Sequence, residues 1–328
     1  MTAPSAPRDL GVLLVNLGSP QVATRRGVAK FLRPFLLDRR VVELPRWLWW
    51  PLLNGVIIPL RAARAARAYR AIWTESGSPL RAYTGRLAAR LQEEFAQCNQ
   101  AVRVAWAVTY GEPGIADALK KLQGDGVGKI VVVPLFPQYS ATTTGAVYDQ
   151  IADFVKRVRN IPELHVVRNY PALPEYIAAL ADSVRAHWQA HGRSARLLIS
   201  FHGIPQRCAD LGDPYPRDCE VTAELLAAAL GLAAEDWQLT FQSRFGRQQW
   251  LQPYTDVTLD NLARSGIATV DVICPAFATD CLETLEEIAV ENRGRFRAAG
   301  GHELRLIPCL NDSLAHAQAL HALIWRSV

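Results

Sequence analysis

Three glutamates recur at intervals of four residues in the second half of the chain. Glu283, Glu287 and Glu291 follow the apolar run at 269–274, so they are expected to lie near one another along a helix. Like charges at this spacing cost a few tenths of a kcal/mol per pair, and a row of carboxylates that bears this cost suits metal delivery or proton removal. The alternative is a solvated acidic face, on a helix that Asp280 and Glu283 begin as a capping box.

A histidine ends another apolar run. His202 follows the segment at 196–201 and precedes Gly203. In parallel sheets, ligands bind beyond the carboxyl ends of the strands, so a residue at this position is a candidate for chemistry. A neutral imidazole can ligate a borderline metal or accept a proton near pH 7. The alternative is a histidine whose hydrogen bonding is satisfied by the backbone.

Other polar segments also follow apolar runs. Residues 137–145 combine hydroxyl groups with a helix start, which could hold carboxylates or phosphates, or could only cap the next helix. Residues 16–20 close the first apolar run and by themselves indicate only a turn. His187 and His191 stand four residues apart and could form a metal pair. The favoured alternative is the electrostatic preference for histidine at a helix C-terminus, since Gly192 follows.

A basic helix follows a group of tryptophans. The arginines stand three residues apart at positions 61, 64, 67 and 70, behind the tryptophans at 47, 49 and 50. This combination predicts a lip that lies on a bilayer or receives a flat acidic ligand, and a solvated face is the alternative. The apolar segment 47–60 contains two prolines and is shorter than the roughly 20 apolar residues that a spanning helix needs. It can rest on a membrane but not cross one.

The elements that must position these residues are strands and helices in alternation. Short runs rich in Val, Ile and Leu recur between amphipathic stretches, and they begin at or near residues 11, 102, 129, 164, 196, 237, 269 and 304. This alternation predicts an α/β protein of two similar doubly wound, Rossmann-like domains, each a roughly four-stranded parallel sheet flanked by helices. The prolines at 171 and 174 place the domains at 1–171 and 172–328, with the last helix, 312–326, free to pack on the first domain.

Composition excludes several classes of protein. The chain has 328 residues, half of them apolar, and a net charge of +5 without the dense basic runs of nucleic-acid binders. No nucleic-acid partner is therefore expected. The N-terminus lacks a secretory signal pattern, and the six cysteines contain no C-x-x-C, so we expect free thiols in the cytoplasm. No glycine-rich phosphate loop opens a helix after a strand, which argues against a nucleotide cofactor.

In this order and spacing, the motifs of the chain closely resemble those of the ferrochelatase family over nearly its whole length. The shared motifs lie at 16–20, 35–38, 77–79, 137–140, 143–145, 200–203, 212–216, 241–244, 250–251 and 282–285. The resemblance implies a class II chelatase-like fold of two Rossmann-like domains with a porphyrin cleft between them. It also implies insertion of Fe(II) into protoporphyrin IX to give protohaem, the last step of haem biosynthesis. Both substrates are then partners, and no further cofactor is implied.

The resemblance also assigns roles to residues of this sequence. His202 and Glu283 are implied as the catalytic and iron-binding pair, with the division of proton and metal work between them left open. Glu287 and Glu291 are implied as further metal-binding residues on a widened, π-type helix. The implied porphyrin-binding residues are Leu17, Arg61, Tyr69, Ser78, Tyr139, Ser243 and Trp250.

The chain departs from the family pattern at three positions. Ala141 stands where animal members carry a cysteine of an iron–sulfur cluster, and the C-terminal extension with the other ligands is lacking after Val328, so no cluster is expected. Thr109 stands where many members carry a porphyrin-contacting arginine. Cys281 stands where some members have a histidine, which removes one candidate metal or proton group.

Two alternatives to a protoporphyrin ferrochelatase stay open at the level of sequence. A coproporphyrin ferrochelatase, or another tetrapyrrole metal chelatase such as a cobalt chelatase, would share the chemistry but not the substrate. A non-catalytic haem- or metal-binding protein would share two α/β lobes around a cleft. The predicted location is cytoplasmic, with peripheral contact at the inner face of the membrane as a further expectation.

Overall fold

The computed structural model describes residues 10–246 and 248–328. Residues 1–9, which begin the segment that lacks a secretory signal pattern, lie outside the described residues. Within this part of the chain, eight strands coincide with the eight apolar runs. They are β1 Leu10–Asn16, β2 Val102–Val108, β3 Lys129–Pro134, β4 Glu163–Val166, β5 Arg196–His202, β6 Trp237–Gln242, β7 Thr269–Ile273 and β8 Glu303–Leu306.

Helices connect the strands and cover the sheets. The α-helices in the described residues are α1 Arg25–Leu37, α2 Arg46–Leu52, α3 Ile58–Ile72, α4 Pro79–Gln97, α5 Ile115–Gly124, α6 Thr144–Val155, α7 Pro174–His191, α8 Gln206–Asp210, α9 Tyr215–Leu230, α10 Thr255–Arg264, α11 Arg293–Ala298 and α12 Leu314–Ser327. In the described residues, the π-helical segment Leu53–Ile57 joins α2 to α3, and the π-helical segment Glu283–Asn292 leads from the loop after β7 into α11. In this part of the chain no helix has the length and apolar character needed to cross a bilayer.

The first compact unit contains a four-stranded parallel sheet in the order β2-β1-β3-β4. Its central strands are buried on both faces, as expected for a parallel sheet that helices cover on both sides. Leu13 and Val15 of β1 and Val132 of β3 are fully buried and pack against Leu119 of α5. The apolar runs of the sequence are therefore the interior of this unit.

The second compact unit repeats the arrangement with a parallel sheet in the order β6-β5-β7-β8. Leu198, Val270 and Val272 form its core together with Ile288 and Phe296, which lie on the helical segments after β7. The π-helix is thus anchored to the sheet by its apolar side. Two sheets of four parallel strands confirm the predicted fold class.

The division of the chain into units differs from a single boundary at residue 171. The first unit extends to Phe136 and also includes Ser140–Asn169 and Asp312–Val328, whereas the second comprises Pro137–Tyr139 and Tyr170–Asn311. The prediction left the last helix free to pack on the first domain. In the structure α12 belongs to the first unit, where the rings of His321 and Trp325 hydrogen bond to Gln100.

Candidate active site

The carboxyl ends of three parallel strands bring the predicted histidine and glutamates to one edge of the second sheet. His202 is the last residue of β5, and its register partner in β6 is Gln242. After the neighbouring strand β7, the chain leads into the π-helix that begins at Glu283. Both groups therefore lie where parallel sheets bind ligands, as the sequence predicted.

One ring nitrogen of His202 is engaged by the backbone. Its Nδ1 lies 2.6 Å from the carbonyl oxygen of Gly203. A carbonyl can only accept, so Nδ1–H is the donor and the neutral ring keeps the lone pair on Nε2. The sequence offered a backbone-satisfied histidine as the alternative to a functional one. The structure shows that a single backbone bond fixes the tautomer and leaves Nε2 as the basic atom.

The residue after His202 has to be glycine. A Cβ at Gly203 would stand 2.9 Å from the carbonyl oxygen of Gln242 and 3.3 Å from the ring of Trp250. The backbone N–H of Gly203 donates to that same oxygen, at 2.8 Å. The close approach of β5 and β6 at this point therefore fixes the backbone that carries the histidine.

The glutamate row lies on a π-helix, and the capping box is not formed. The helix begins at Glu283 with Leu282 at its N-cap, and Leu282 makes no side-chain cap bond. The Asp280 carboxylate accepts hydrogen bonds from Thr284 Oγ1 at 2.9 Å and from Asn311 Nδ2 at 2.6 Å. The capping-box interpretation of Asp280 and Glu283 is therefore wrong, because Asp280 ties the start of the helix to a neighbouring loop.

Glu287 is held by Ser243 through both of its carboxylate oxygens. Its Oε1 accepts the backbone N–H of Ser243 at 2.7 Å, and its Oε2 accepts the Ser243 hydroxyl at 2.5 Å. Burial raises the pKa of Glu287 to about 7, with a further increase from Glu283 and an opposing effect of the Ser243 hydrogen bonds. This carboxyl group is poised to gain or lose a proton near neutral pH.

A cavity of about 340 Å³ opens beside the outer part of the row. Its lining consists of Phe241, Gln242, Ser243, Arg244, Asp256, Glu287, Glu291, Asn292 and Arg295. Both arginines of the lining pair with Asp256, Arg244 at 2.9 Å and Arg295 at 2.6 Å, and Arg295 also pairs with Asp260. The two arginines are thus paired with aspartates on α10. Glu287 and Glu291 line the same cavity.

Cys281 is a buried residue that interacts with Glu283. The side chain is buried, and burial raises the pKa of its thiol well above the ordinary value, with Glu283 adding to the increase. A thiol that stays protonated is a poor metal ligand. The loss of a metal or proton group at this position, where some members of the family have a histidine, stays a prediction.

The predicted metal-binding residues do not form a closed ligand set. Among the described residues, no three His, Cys, Asp or Glu side chains converge as a group that could hold a metal ion. His202 and the three glutamates are instead arranged along an edge and a helix. The pair His187 and His191 likewise lacks a third ligand, and the nearby Asp271 is already held by two hydrogen bonds from Arg305.

Three of the predicted porphyrin-binding residues lie in the second unit. Trp250 is largely buried, packs beside Gly203 and donates its Nε1–H to the Phe245 carbonyl at 2.9 Å. Tyr139 donates its backbone N–H to Asp218 at 3.0 Å. Ser243, as described above, directs both of its donors to Glu287. A porphyrin contact of these residues stays a prediction.

The other four predicted porphyrin-binding residues lie in the first unit. Leu17 directly follows β1, and Ser78 is buried, with its hydroxyl bonded to Ser19 at 2.7 Å. On α3, Arg61 is exposed and Tyr69 is buried. The hydrogen bond of Ser78 brings the 16–20 segment and the start of α4 together, but it also shows that Ser78 has a structural partner.

The tryptophan lip is narrower than the sequence predicted. Trp47 is 79% exposed, Trp50 is 58% exposed and Leu60 is 71% exposed, so they form an apolar surface on α2 and α3. Trp49 is buried instead, and its Nε1–H donates to the Leu36 carbonyl at 2.7 Å. The inclusion of Trp49 in the lip is therefore wrong, because it lies on the inner side of α2.

The hydroxyl-rich segment after β3 does not cap the next helix through its N-cap side chain. The N-cap residue of α6 is Thr143, which makes no side-chain cap bond. Ser140 instead accepts the backbone N–H of Thr142 on its hydroxyl and that of Gly145 on its carbonyl. Its second half, from Ser140 to Gly145, is a turn stabilised by these internal hydrogen bonds, whereas Tyr139 bonds to Asp218 outside the segment.

The structure has two compact α/β units, each built on a four-stranded parallel sheet, which is the fold of the two-domain chelatases. The structure is similar to that of SirB from Bacillus subtilis with Fe3+, with a TM-score of 0.58 and 13% identity over 97% of this chain and 95% of that chain. A family model described as Ferrochelatase matches residues 9–328. The chain belongs to the ferrochelatase family.

Relatives named ferrochelatase cover nearly the whole chain. The protein from Aromatoleum aromaticum is 53% identical over 93% of this chain and 84% of its own length. The protein from Vibrio cholerae serotype O1 is 50% identical over 97% of this chain and 98% of its own length. The prediction of a ferrochelatase, and with it of a metal-inserting enzyme, is confirmed.

Proposed function

We propose that this chain inserts Fe(II) into protoporphyrin IX, with His202 and the glutamate row as the groups that handle protons and iron. Family membership supports the reaction, and the ferrochelatase name of its relatives favours it over the coproporphyrin, cobalt and non-catalytic alternatives. The observation that carries the residue assignment is the common origin of His202 and Glu283 at the carboxyl edge of one sheet.

Metal insertion sets two chemical requirements. The macrocycle has to lose two pyrrolic protons, and the hydrated cation has to lose its waters, at the same place. Distortion of the flat ring exposes its nitrogen lone pairs, and binding energy from the ring edges can be used for this distortion. The proposed reaction needs the protein, the porphyrin and ferrous iron, with no resident cofactor.

His202 is proposed as the acceptor of a pyrrolic proton. The Gly203 carbonyl holds Nδ1–H, so Nε2 is the nitrogen available to take the proton. The imidazolium formed in this step keeps the same hydrogen bond, because Nδ1 is a donor in both states. The backbone thus supports both the base and its conjugate acid without reorientation.

Glu283, Glu287 and Glu291 are proposed as the groups that bring iron to the ring. Carboxylate and imidazole ligands suit Fe(II) and also admit Zn(II) and Co(II). An open row of carboxylates fits an ion that is a substrate, because a closed ligand set would retain it. Glu287, with a pKa of about 7, can exchange a proton for a metal ion near neutral pH.

The exposed lip of the first unit is proposed as a peripheral membrane contact. Trp47, Trp50 and Leu60 present apolar surface, and the exposed arginines of α3 can interact with anionic headgroups. The same surface could serve the porphyrin ring, which is apolar on its faces and acidic at its propionates. Flotation with anionic liposomes separates the two uses.

Optical spectroscopy tests the proposed reaction directly. Protein is mixed with protoporphyrin IX and Fe(II) without oxygen, or with Zn(II), and the free-base porphyrin bands are expected to convert to those of the metalloporphyrin with repeated turnover. Parallel reactions with coproporphyrin and with a precorrin-type ring rank the substrates. Stoichiometric binding of haem without turnover would contradict the proposal and favour a carrier.

A further inference from the structure

Gln242 is a buried residue that holds the backbone next to His202, the proposed base. It is only 3% exposed and ends β6, directly beside His202 in the sheet register. Its carbonyl oxygen accepts the N–H of Gly203 at 2.8 Å, so it is bonded to the residue that follows the histidine. Hydrogen bonding to β6 therefore fixes the backbone position at the end of β5, where His202 lies.

The side chain of Gln242 extends this connection to the glutamate row. Its Nε2 donates to the backbone carbonyl of Glu283 at 2.8 Å, and its Oε1 accepts the hydroxyl of Ser200 at 2.8 Å. Ser200 lies two residues before His202 on β5. One amide thus spans from the strand of the histidine to the first residue of the π-helix.

The orientation of this amide is fixed by its partners. The Glu283 carbonyl can only accept, so the NH₂ end of Gln242 faces the helix and the oxygen faces β5. Ser200 is itself held in a chain of buried hydroxyls, 2.9 Å from Thr255 Oγ1, which lies 2.9 Å from Thr240 Oγ1. A buried network with its groups satisfied is rigid and specifies one arrangement.

The same region controls a second glutamate. Gln242 Nε2 also lies 3.5 Å from Glu287 Oε2, and the next residue, Ser243, binds both oxygens of that carboxylate. π-Helical segments are rare and usually occur at functional sites. The Gln242 side chain lies outside the helix and donates to the Glu283 carbonyl. This hydrogen bond supports the wide π-helical form at the residue where the glutamate row begins.

We propose that Gln242 is a positioning residue for metal insertion, which holds Glu283 in fixed relation to the strand of His202. It does not contact the reacting atoms in this assignment. The inference rests on the proposed function, because the positions of a base and a metal-handling carboxylate matter together only if both act on one substrate. Small displacements of such groups have large effects on rate.

The test compares two glutamine-to-leucine variants. Gln242→Leu removes the bridge, and Gln92→Leu removes a similar bridge in the first unit, where Gln92 links α4 to β2 through the Val102 carbonyl and the Val104 N–H. For Zn(II) insertion, Gln242→Leu is expected to lower kcat about tenfold or more and to raise the KM for zinc about threefold. The KM for protoporphyrin is expected to stay within about twofold.

The control variant is expected to keep kcat and both KM values within about twofold of the unmodified chain. Equal turnover of Gln242→Leu and the unmodified chain, or equal losses in both variants, would overturn the inference. Absence of turnover in the unmodified chain would instead overturn the proposed function. If Gln242→Leu does not fold, Ser200→Ala replaces it, with a fall in kcat of about threefold expected and an unchanged kcat counting against the role.

Discussion

Ser243 donates both its backbone N–H and its hydroxyl to the two carboxylate oxygens of Glu287. It does so with a φ of 67°, in the left-handed region that residues with a side chain rarely adopt. Backbone strain of this kind concentrates at functional sites. A strained backbone at the edge of the second sheet therefore holds the Glu287 carboxylate of the acidic row in place.

The strain at Ser243 predicts a stability difference between two substitutions. Ser243→Ala and Ser243→Gly both lose the hydroxyl, but only glycine adopts the positive φ without a Cβ penalty, so Ser243→Gly is expected to be more stable by about 1 kcal/mol. Urea unfolding of both variants measures the difference. A more stable alanine variant would contradict the strained conformation.

The raised pKa of Glu287 predicts a pH-dependent stability of opposite sign to that of an ordinary acidic residue. Between the unfolded value near 4.5 and the folded value of about 7, the native state holds a proton that the unfolded state has lost. The free energy of unfolding should therefore fall as pH rises through this window, by about 1.4 kcal/mol per unit and on the order of 3 kcal/mol in total.

Glu287→Gln removes this titration. Urea unfolding at intervals from pH 5 to pH 8, with a chelator present, is expected to show the stability of Glu287→Gln rising relative to the unmodified chain up to about pH 7 and constant above it. Glu224→Gln, at an exposed position on α9, serves as the control. A difference between Glu287→Gln and the unmodified chain that is the same at every pH would rule out the raised pKa.

Removal of the His202 imidazole should slow metal insertion strongly while porphyrin binding is retained. His202→Ala is expected to lower kcat by about 100-fold or more for both Fe(II) and Zn(II), because the proposed base is lost. Fluorescence titration should show protoporphyrin binding close to that of the unmodified chain. His165→Ala, an exposed position on β4, is the matched control. Near-normal insertion by His202→Ala would show that another group accepts the protons.

A methyl group at Gly203 should be poorly tolerated. Gly203→Ala is expected to cost about 1–3 kcal/mol in unfolding free energy, since its Cβ meets the Gln242 carbonyl at 2.9 Å, and to lower kcat. Gly294→Ala in α11, where the Cβ has open space, should instead stabilise the chain by about 0.5–1 kcal/mol. Thermal unfolding and zinc insertion compare the two. Equal stabilities of the two variants would mean that β5 and β6 can move apart at Gly203 to accommodate the added Cβ.

The membrane proposal predicts a specific loss of liposome binding. The double substitution Trp47→Ser and Trp50→Ser should reduce flotation with vesicles of mixed anionic and zwitterionic lipid, because the inserted aromatic surface is lost. Leu211→Ser, which removes a 68% exposed leucine in the second unit, is the control. Normal flotation of the double variant together with a raised KM for protoporphyrin would assign the lip to the porphyrin alone.

Strands were predictable from sequence because parallel strands covered on both faces are continuous apolar runs. The runs around β1, β3, β5 and β7 are almost entirely buried, and they stand out without any tertiary information. The apolar run at 196–201 ends one residue before β5 does, so the placement of His202 at the strand end followed from it. The sequence gives no indication that residues 137–139 belong to the second unit, because this depends on contacts with residues far away in the sequence.

The candidate site was predictable only where spacing carries information. The four-residue interval of the glutamates indicated a row on one helix, whereas the capping box is absent because the Asp280 carboxylate bonds to Asn311 and Thr284 instead. Gln242 was missed as an individual residue, since a neutral amide at a strand end shows no spacing pattern. Trp49 was wrongly predicted to be part of the exposed lip for a related reason. The sequence alone does not show which of several neighbouring tryptophans lie on the buried face of a helix.

The return of α12 to the first unit has a consequence for synthesis. A ribosome releases residues 312–328 only after the whole of the second unit has been made, yet these residues complete the packing against α4, where the ring of His321 contacts Phe95. Until then, part of the apolar surface of α4 lacks its cover. The first unit therefore stays incompletely packed while the second is translated, and apolar surface exposed in this way makes a partly folded chain prone to aggregation.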